Sequence, residues 1–115
     1  MKVGTVGTGF IVDRMISAMK DSGIEVIACY SRSLEKAKEF CEKHQMKRYY
    51  WNLEELLKDE EVDTIYVASP NSLHYSQSKM ALQAKKHVIN EKPFCPSLKE
   101  SEDLFKTAKE NGVYI

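Results

Sequence analysis

Two kinds of apolar pattern alternate along the whole chain. Short runs rich in β-branched residues predict strands, and longer segments with apolar residues three and four positions apart predict helices. The predicted strands cover residues 3–6, 24–30, 49–51, 64–68, 87–90 and 113–115. The predicted helices cover residues 10–21, 34–44, 53–57, 73–84 and the segment between Ser97 and Gly112. Each strand is followed by a helix until a sixth strand begins at the end of the chain.

Four of these helices carry an apolar stripe that predicts which residues face the core. The predicted inward-facing residues are Ile11, Met15, Ala18 and Met19, then Leu34, Ala37, Phe40 and Cys41, then Leu73, Gln77, Met80, Ala81 and Ala84, and finally Leu104, Phe105 and Ala108. Polar caps mark the helix starts, since Ser33 precedes the second helix, Asn52 the third and Ser97 the last.

Strict alternation of strand and helix is typical of a doubly wound α/β domain, whose parallel strands are joined by right-handed crossovers. Near-continuous apolar strands, such as 26–29 and 65–68, suit a sheet covered by helices on both faces. We therefore predict a Rossmann-type three-layer fold over residues 1–115. A sixth strand of three residues indicates a domain truncated at the start of that strand, cut from a longer polypeptide.

Composition narrows the class of protein. The chain has 115 residues, with 17 Lys and Arg balanced by 17 Asp and Glu, and this neutrality argues against a nucleic-acid partner. No apolar run is long enough to cross a membrane, and the first residues lack the apolar core of a signal peptide. The three cysteines form no CxxC pair, and Cys41 and His44 have no second ligand pair beside them. We expect reduced thiols, no metal and a cytoplasmic protein.

A glycine-rich turn follows the first strand directly. Gly7 and Gly9 match the first two glycines of G-x-G-x-x-G/A, and Val12 stands in the third place. The first glycine permits a tight turn, and the second lets a pyrophosphate approach the backbone. The amides of Phe10 and Ile11 open the next helix, where the positive end of the helix dipole favours an anion. A strand, a glycine turn and a helix in this order predict a dinucleotide site, although a plain structural turn remains the alternative.

The end of the second strand bears on the choice of dinucleotide. Sites that prefer NAD place a carboxylate about 20 residues after the glycine turn, where it binds the ribose hydroxyls. This chain has no acidic residue between Glu25 and Glu35, and carries Ser31 and Arg32 there instead. A hydroxyl and a guanidinium suit a 2′-phosphate. We therefore favour NADP over NAD, with a solvated Arg32 or one stacked on adenine as the alternative.

Two further motifs follow the fourth and fifth strands. The run from Ser69 to His74 reads Ser-Pro-Asn-Ser-Leu-His, and residues 91–93 read Glu-Lys-Pro. With the glycine turn, these motifs resemble the Gfo/Idh/MocA oxidoreductases, the family of glucose–fructose oxidoreductase and inositol dehydrogenase. The run from His87 to Phe94 is especially similar to that family, and the resemblance covers the whole chain.

The resemblance implies a role for particular residues. The pyrophosphate would lie on Gly7, Gly9 and the amides of Phe10 and Ile11, and the adenosine ribose near Ser31 and Arg32. Residues lining the path toward the nicotinamide would be Ser69, Pro70, Asn71 and His74, with Glu91 and Lys92 beside the ring. Lys92 would be the catalytic lysine that hydrogen-bonds the reacting hydroxyl or carbonyl, and in such members the bond to Pro93 is often cis.

This role for Lys92 agrees with the chemistry of hydride transfer. Such a transfer from an alcohol develops a carbonyl and releases a proton, so a cationic donor stabilises the oxygen and a base takes the proton. Lys92 follows a predicted strand at its carboxyl end, where open α/β sheets bind ligands. Taken without the family pattern, Lys92 would be an ordinary surface charge.

The resemblance also implies a second domain after the sixth strand, which supplies the substrate pocket and most oligomer contacts. We therefore expect a parent oxidoreductase that acts as a homo-oligomer on a sugar, polyol or diol, and a 115-residue chain that binds the cofactor without turnover. A stand-alone nucleotide-binding or redox-sensing module is the alternative. Adenosylmethionine binding is a third, in which Glu91 and Lys92 have no role.

Overall fold

The structure, a computed structural model, describes residues 1–7, 9–68, 71–90 and 98–115, and for residues 10, 11, 71 and 72 it describes the backbone alone. Strands and helices alternate along it. The strands are β1 (Lys2–Val6), β2 (Glu25–Tyr30), β3 (Arg48–Tyr50), β4 (Thr64–Val67) and β5 (His87–Asn90). The helices are α1 (Phe10–Asp21), α2 (Leu34–Lys43), α3 (Leu53–Leu57), α4 (Asn71–Gln83) and α5 (Leu98–Asn111). These bounds lie within about two residues of the predicted ones.

The five strands form one parallel sheet in the order β3-β2-β1-β4-β5. β1 is central, and its last residue, Val6, lies opposite Tyr30 of β2 and Val67 of β4. The chain runs outward from β1 to β3, then returns to β4 on the other side. This is the doubly wound topology that the sequence predicts, and its switch point lies between β1 and β4, where open α/β sheets bind ligands.

Each face of the sheet has its own core, because neighbouring side chains of a strand point to opposite faces. α1 and α2 cover one face, where Ile16 and Phe40 pack against Cys29 and Tyr66. α3, α4 and α5 cover the other, where Leu56, Leu82 and Leu104 pack against the alternate strand residues. The two layers of helices confirm the predicted three-layer architecture. No described helix is long and apolar enough to span a membrane.

One residue in each of these two cores is closely packed or fully buried. A Cβ added to Gly4 of β1 would lie 2.9 Å from Leu56 Cδ1, so α3 rests directly on the sheet backbone there. On the opposite face, Cys29 is fully buried and its thiol donates to the Ala37 carbonyl over 3.3 Å. Burial, with a smaller contribution from nearby Cys41, raises the pKa of the Cys29 thiol to about 12. Both Cys29 and Cys41 are free thiols.

The predicted stripe of α1 is confirmed at Met19 and wrong at Met15 and Ala18, and the Ile11 side chain lies outside the described residues. Val12, Ile16 and Met19 are buried, whereas Met15 is half-buried and Ala18 is exposed. The first helix carries apolar residues around most of its circumference, so periodicity alone fits two neighbouring stripes about 100° apart. Contact with the sheet selects one of them.

The other stripes need smaller corrections of the same kind. In α2 the stripe holds except for Leu34, which is the first helical residue and is exposed. In α5, Thr107 takes the inward position predicted for Phe105, and its hydroxyl is satisfied by donating to the Asp103 carbonyl. Of the predicted stripe of α4, Ala81 is fully buried, whereas Leu73, Gln77, Met80 and Ala84 are half-buried. Among the described side chains of α4, those of His74, Ser78 and Leu82 are also buried.

The predicted sixth strand is not formed. Residues 113–115 have irregular backbone beside β5, and one backbone hydrogen bond joins them to it, from the Val88 amide to the Tyr114 carbonyl over 2.9 Å. The Tyr114 amide donates to the imidazole of His87 instead of to the β5 backbone. Three residues with one such bond do not make a ladder, although they lie where a strand would add to the sheet.

Candidate functional site

A cleft of about 560 Å³ opens at the carboxyl ends of β1, β2 and β4. It therefore lies at the switch point of the sheet. The residues that line it come from the three strand ends and from α2 and α4: Val6, Gly7, Gly9, Tyr30, Ser31, Arg32, Ser33, Lys36, Ala68, Leu73 and Gln77. Four of the predicted site residues, Gly7, Gly9, Ser31 and Arg32, are among them.

The glycine turn forms the floor of the cleft. Gly7 has a φ of +112°, a conformation that side chains disfavour, and its amide donates to the Tyr30 carbonyl over 3.0 Å. Gly9 caps α1 without a side chain, and a Cβ placed on it would meet no described atom within 4 Å. The first amides of α1 precede the first helical hydrogen bond, from Asp13 to the Gly9 carbonyl. Open space therefore lies beside Gly9 at the N-terminus of α1, an arrangement that fits a pyrophosphate.

Hydroxyls and cations form the wall of the cleft beyond β2. The Ser31 amide donates to the Tyr50 carbonyl over 3.1 Å, and its Oγ accepts from the Ser33 amide over 3.3 Å, so β3 and the cap of α2 hold this segment in place. Arg32 and Lys36 add two positive charges. In the part of the chain that the structure describes, neither has a carboxylate at ion-pair distance.

Sequence reasoning missed Lys36. Its amide is the one that donates to the Ser33 hydroxyl, which places it in the first turn of α2, beside the cleft. The cap at Ser33 was the available signal, because a residue three positions after a cap lies on the same side of the helix as the cap.

α4 forms the opposite wall, with Leu73 and Gln77 facing the cleft. His74, predicted on the path to the nicotinamide, is 2% exposed and is not among the lining residues. Neither of its ring nitrogens has a hydrogen-bond partner among the described residues. One turn further on, the Ser78 hydroxyl donates to the Asn90 side chain at the end of β5, over 2.9 Å. Here α4 presents its polar inner face to β5.

Several predicted site residues lie outside the described part of the chain. These are Ser69, Pro70, Glu91 and Lys92, together with Pro93. For Phe10, Ile11 and Asn71 the structure describes the helical backbone and not the side chain. Their predicted roles at the cofactor and, for Lys92, in catalysis stay predictions.

A group of charges sits behind the glycine turn, between α1 and α2. The Asp13 carboxylate accepts from Lys43 Nζ over 2.8 Å and lies 2.5 Å from His44 Nε2. These hydrogen bonds, Lys43 first and His44 second, lower the pKa of Asp13. A second cavity of about 500 Å³ adjoins the cleft here and shares Gly9 and Lys36 with it. His44 is thus engaged with a carboxylate, and the described residues hold no cluster of three or more metal-ligating side chains.

A model of one protein family, described as an oxidoreductase family with an NAD-binding Rossmann fold and named for Gfo, Idh and MocA, matches residues 1–115. Over 116 residues the chain is 37% identical to scyllo-inositol 2-dehydrogenase (NADP(+)) of Bacillus subtilis, covering all of this chain and 35% of that protein. It is 32% identical to 1,5-anhydro-D-fructose reductase of Ensifer adhaerens, covering 97% of this chain and 34% of that protein. The chain spans about a third of the length of these curated relatives.

Solved structures give the same result for the fold. The 3-ketoreductase KijD10 of Actinomadura kijaniata, in complex with NADP and TDP-benzene, superposes with a TM-score of 0.92 at 34% identity, over 98% of this chain and 35% of that one. The WlbA dehydrogenase of Bordetella pertussis, in complex with NADH and UDP-GlcNAcA, gives 0.90 at 26% identity, over 98% and 34%. Both cofactors occur among these neighbours.

Proposed function

The chain belongs to the Gfo/Idh/MocA family of oxidoreductases, and from this premise we propose that its cleft binds NADP as the cofactor domain of a larger hydride-transfer enzyme. The observation that carries the proposal is the cleft itself. It combines open space beside Gly9, at the N-terminus of α1, with two cations that have no described carboxylate partner. Both features favour an anion.

The pyrophosphate binds at the floor of the cleft. Gly7 and Gly9 let its oxygens approach the backbone, and the first amides of α1, including those of Phe10 and Ile11, donate to them. The open space beside Gly9 supports this placement, because any side chain there would occupy the position of the phosphates.

The adenosine ribose and its 2′-phosphate lie at the wall beyond β2. The Ser31 hydroxyl and the Arg32 and Lys36 cations bind the 2′-phosphate, and the absence of a carboxylate between Glu25 and Glu35 removes the group that would repel it. NADP in the printed name of the inositol dehydrogenase relative and in the KijD10 complex supports this preference.

The nicotinamide end lies toward β4 and β5. Bound there, the cofactor supplies the hydride acceptor or donor. Lys92, assigned from the resemblance of its Glu-Lys-Pro motif, donates a hydrogen bond to the reacting oxygen and stabilises the charge that develops on it. In alcohol oxidation the hydroxyl proton leaves to a neighbouring base, and in ketone reduction the oxygen gains a proton. Residues 69–71 and Glu91 complete this end.

The substrate is a sugar-like polyol, diol or ketone. Relatives are named for an inositol, an anhydrofructose and a dihydrobenzene diol, compounds that share a secondary alcohol or the corresponding ketone. We assign residues 1–115 to cofactor binding, and substrate positioning to a further domain of the parent enzyme.

Calorimetric titration of the chain with NADPH and NADH tests the cofactor assignment. We expect NADPH to bind about tenfold more tightly, since a 2′-phosphate gains charge-assisted hydrogen bonds. Arg32→Ala should remove that difference by weakening NADPH and leaving NADH unchanged, whereas the matched variant Lys38→Ala, on an exposed position of α2, should change neither. Tighter binding of NADH would overturn the NADP assignment, and binding of neither would overturn the function.

Measurements of turnover test the assignment of cofactor binding to residues 1–115 and of substrate positioning to a further domain. With scyllo-inositol and NADP, the 115-residue chain should show no reduction of the cofactor, and the parent enzyme carrying Lys92→Ala should bind NADPH normally but lose at least about 100-fold in kcat. Turnover by the isolated chain would refute the assignment of substrate positioning to another domain.

A further inference from the structure

We propose that a cavity at the outer edge of the sheet, formed by the end of β3 and the start of α3, binds a small molecule that carries a methylated ammonium group. The residues that line this cavity are Tyr49, Tyr50, Trp51, Asn52 and Glu55. None of them is among the residues that line the cleft assigned to the dinucleotide. The ammonium site and the proposed cofactor site can therefore be tested separately.

Three consecutive aromatic side chains contribute to the wall of the cavity. Tyr49 and Trp51 are alternate residues of an extended segment, so their side chains point to the same side. Their ring centroids are 6.4 Å apart and their planes are inclined by 39°. Tyr50 points to the other face of the sheet, and it reaches the same cavity because β3 is the outermost strand.

The indole of Trp51 is 57% exposed, although burial of so large a ring would stabilise the fold. The exposed ring adjoins a cavity of about 460 Å³, a size that is typical of small-molecule sites. A ligand in this cavity would cover apolar surface that folding leaves open to solvent. The position of the indole therefore favours a binding site over packing within the domain.

The carboxylate of Glu55 gives the cavity a negative charge. Glu55 lies in the first turn of α3 and lines the cavity beside the aromatic rings. In the part of the chain that the structure describes, no cation lies at ion-pair distance from it. The faces of aromatic rings also carry partial negative charge and attract cations. Rings and carboxylate together favour a positively charged ligand.

Two of the polar groups that line the cavity already have hydrogen-bond partners. Asn52 Oδ1 accepts from the Glu54 amide over 2.9 Å, and the Tyr50 hydroxyl donates to Asp59 over 2.8 Å. A primary ammonium brings three N–H donors, and each donor that loses water without gaining an acceptor weakens binding. A methylated ammonium keeps the charge and needs fewer acceptors, so it suits aromatic walls with a single carboxylate.

Titration with choline, followed by tryptophan fluorescence, tests this site. Trp51 is the single tryptophan of the chain, so its emission reports on the cavity. We expect a saturable change with a Kd of about 1–10 mM, since few groups contact so small a ligand. The neutral tert-butyl analogue of choline should bind at least about fivefold more weakly, because it has the same shape without the charge. Ethanolamine, a primary amine, should bind at least about threefold more weakly.

Two variants identify the groups that bind choline. Trp51→Leu, at an exposed position that keeps the fold, should weaken binding about tenfold, measured from the NMR signal of the choline methyl groups. Glu55→Gln should weaken choline about threefold and leave the neutral analogue unchanged. Glu54→Gln removes a charge from the same turn of α3 but not from the cavity wall, and Tyr114→Leu removes an exposed ring beside β5. Both controls should bind choline as wild type does.

Several results would overturn the ammonium site. These are the lack of a saturable response to choline, equal affinity for choline and its neutral analogue, and binding of ethanolamine as tight as that of choline. Tighter binding of scyllo-inositol would also overturn it, because the rings would then stack on a sugar-like ring. Unchanged affinity in Trp51→Leu would place choline elsewhere on the chain. None of these results affects the titration with NADPH, so failure of this site is distinguishable from failure of the proposed function.

Discussion

The cations at the two ends of the strands differ in their partners. The side of the sheet where the parallel strands begin is called the amino edge, and the side where they finish is called the carboxyl edge. At the amino edge, the turn between α3 and β4 supplies Asp59 and Glu61, which bind Arg48 over 2.7 Å and 2.6 Å. Glu61 also binds Lys47 over 2.7 Å. At the carboxyl edge, Arg32 and Lys36 face a cleft and have no ion-pair partner among the described residues.

The difference separates stability from binding. The ion pairs of Arg48 at the amino edge hold the short outer strand β3 against the turn between α3 and β4. The Tyr50 hydroxyl of the same strand also donates to Asp59, over 2.8 Å. Arg32 and Lys36, which have no ion-pair partner among the described residues, are available for a ligand. Substitutions at one edge should therefore change the free energy of unfolding, and substitutions at the other should change affinity.

The largest expected effect is that of Gly9→Asp at the carboxyl edge. The backbone of Gly9 is extended, with a φ of −79°, and Asp is a favourable helix cap, so the fold should be kept. Its carboxylate would occupy the position of the pyrophosphate and repel it. We expect the Kd for NADPH to rise at least about 100-fold in calorimetry. The melting temperature should stay within about 2 °C of wild type.

Gly4→Ala is the control for that prediction. Its new Cβ would meet Leu56 at 2.9 Å, so it should lower the melting temperature without a comparable change in the Kd of the folded protein. If Gly9→Asp bound NADPH normally, the floor of the cleft would not be the pyrophosphate site.

Arg48→Met should show the opposite behaviour at the amino edge. It leaves the Asp59 carboxylate, 6% exposed, without its main partner, at a cost of about 1–2 kcal/mol, discounted because Arg48 itself is partly exposed. Urea denaturation should show that loss, and the Kd for NADPH should not change. A weaker Kd in this variant would mean that the two edges are not independent.

Lys36→Met should have a smaller effect, restricted to the phosphorylated cofactor. Loss of one point charge beside the 2′-phosphate should weaken NADPH about fivefold and leave NADH unchanged. Lys38→Met on the same helix is the matched control for lost charge. Equal weakening of both cofactors would place Lys36 beside the pyrophosphate instead.

The smallest effect is on the acid stability of the amino edge. Hydrogen bonds from Lys47 and Arg48 lower the pKa of Glu61 from 4.5 to about 2. A carboxyl group whose pKa is lowered in the folded state stabilises it above the unfolded pKa, and that contribution is lost as pH falls through the folded value. The melting temperature should fall by a few degrees more between pH 5 and pH 2 in wild type than in Glu61→Gln. Glu60→Gln, a change at the exposed neighbour, should keep the wild-type slope.

Sequence reasoning predicted the order of elements, the parallel sheet and the glycine turn, because each depends on local signals. Alternation of strand and helix fixes the topology class, and the φ of +112° at residue 7 favours a glycine. The sequence did not predict how each helix is rotated about its own axis. Val12 and Met15 are both apolar, and contact with the sheet decides that the first is buried.

The residues that line the cleft also include some that the sequence predicted and some that it did not. Ser31 and Arg32 could be predicted because they follow a strand directly. Lys36 was missed, although its place three residues after the predicted Ser33 cap was a usable signal. His74 follows a motif and was expected at the surface of the cleft, but α4 turns Leu73 and Gln77 outward there and buries the imidazole.

The thiol of Cys29 is buried between the sheet and α2, so its chemical modification reports how often this contact opens. A thiol with a pKa near 12 and no exposed surface reacts with an alkylating reagent at a negligible rate while the strands stay closed. Modification of Cys29, followed by peptide mass spectrometry, therefore measures how often α2 lifts from the sheet. Because α2 also carries Lys36, a nucleotide bound at the first turn of α2 should slow the alkylation of Cys29. The alkylation rate would then measure how much of the cleft is occupied.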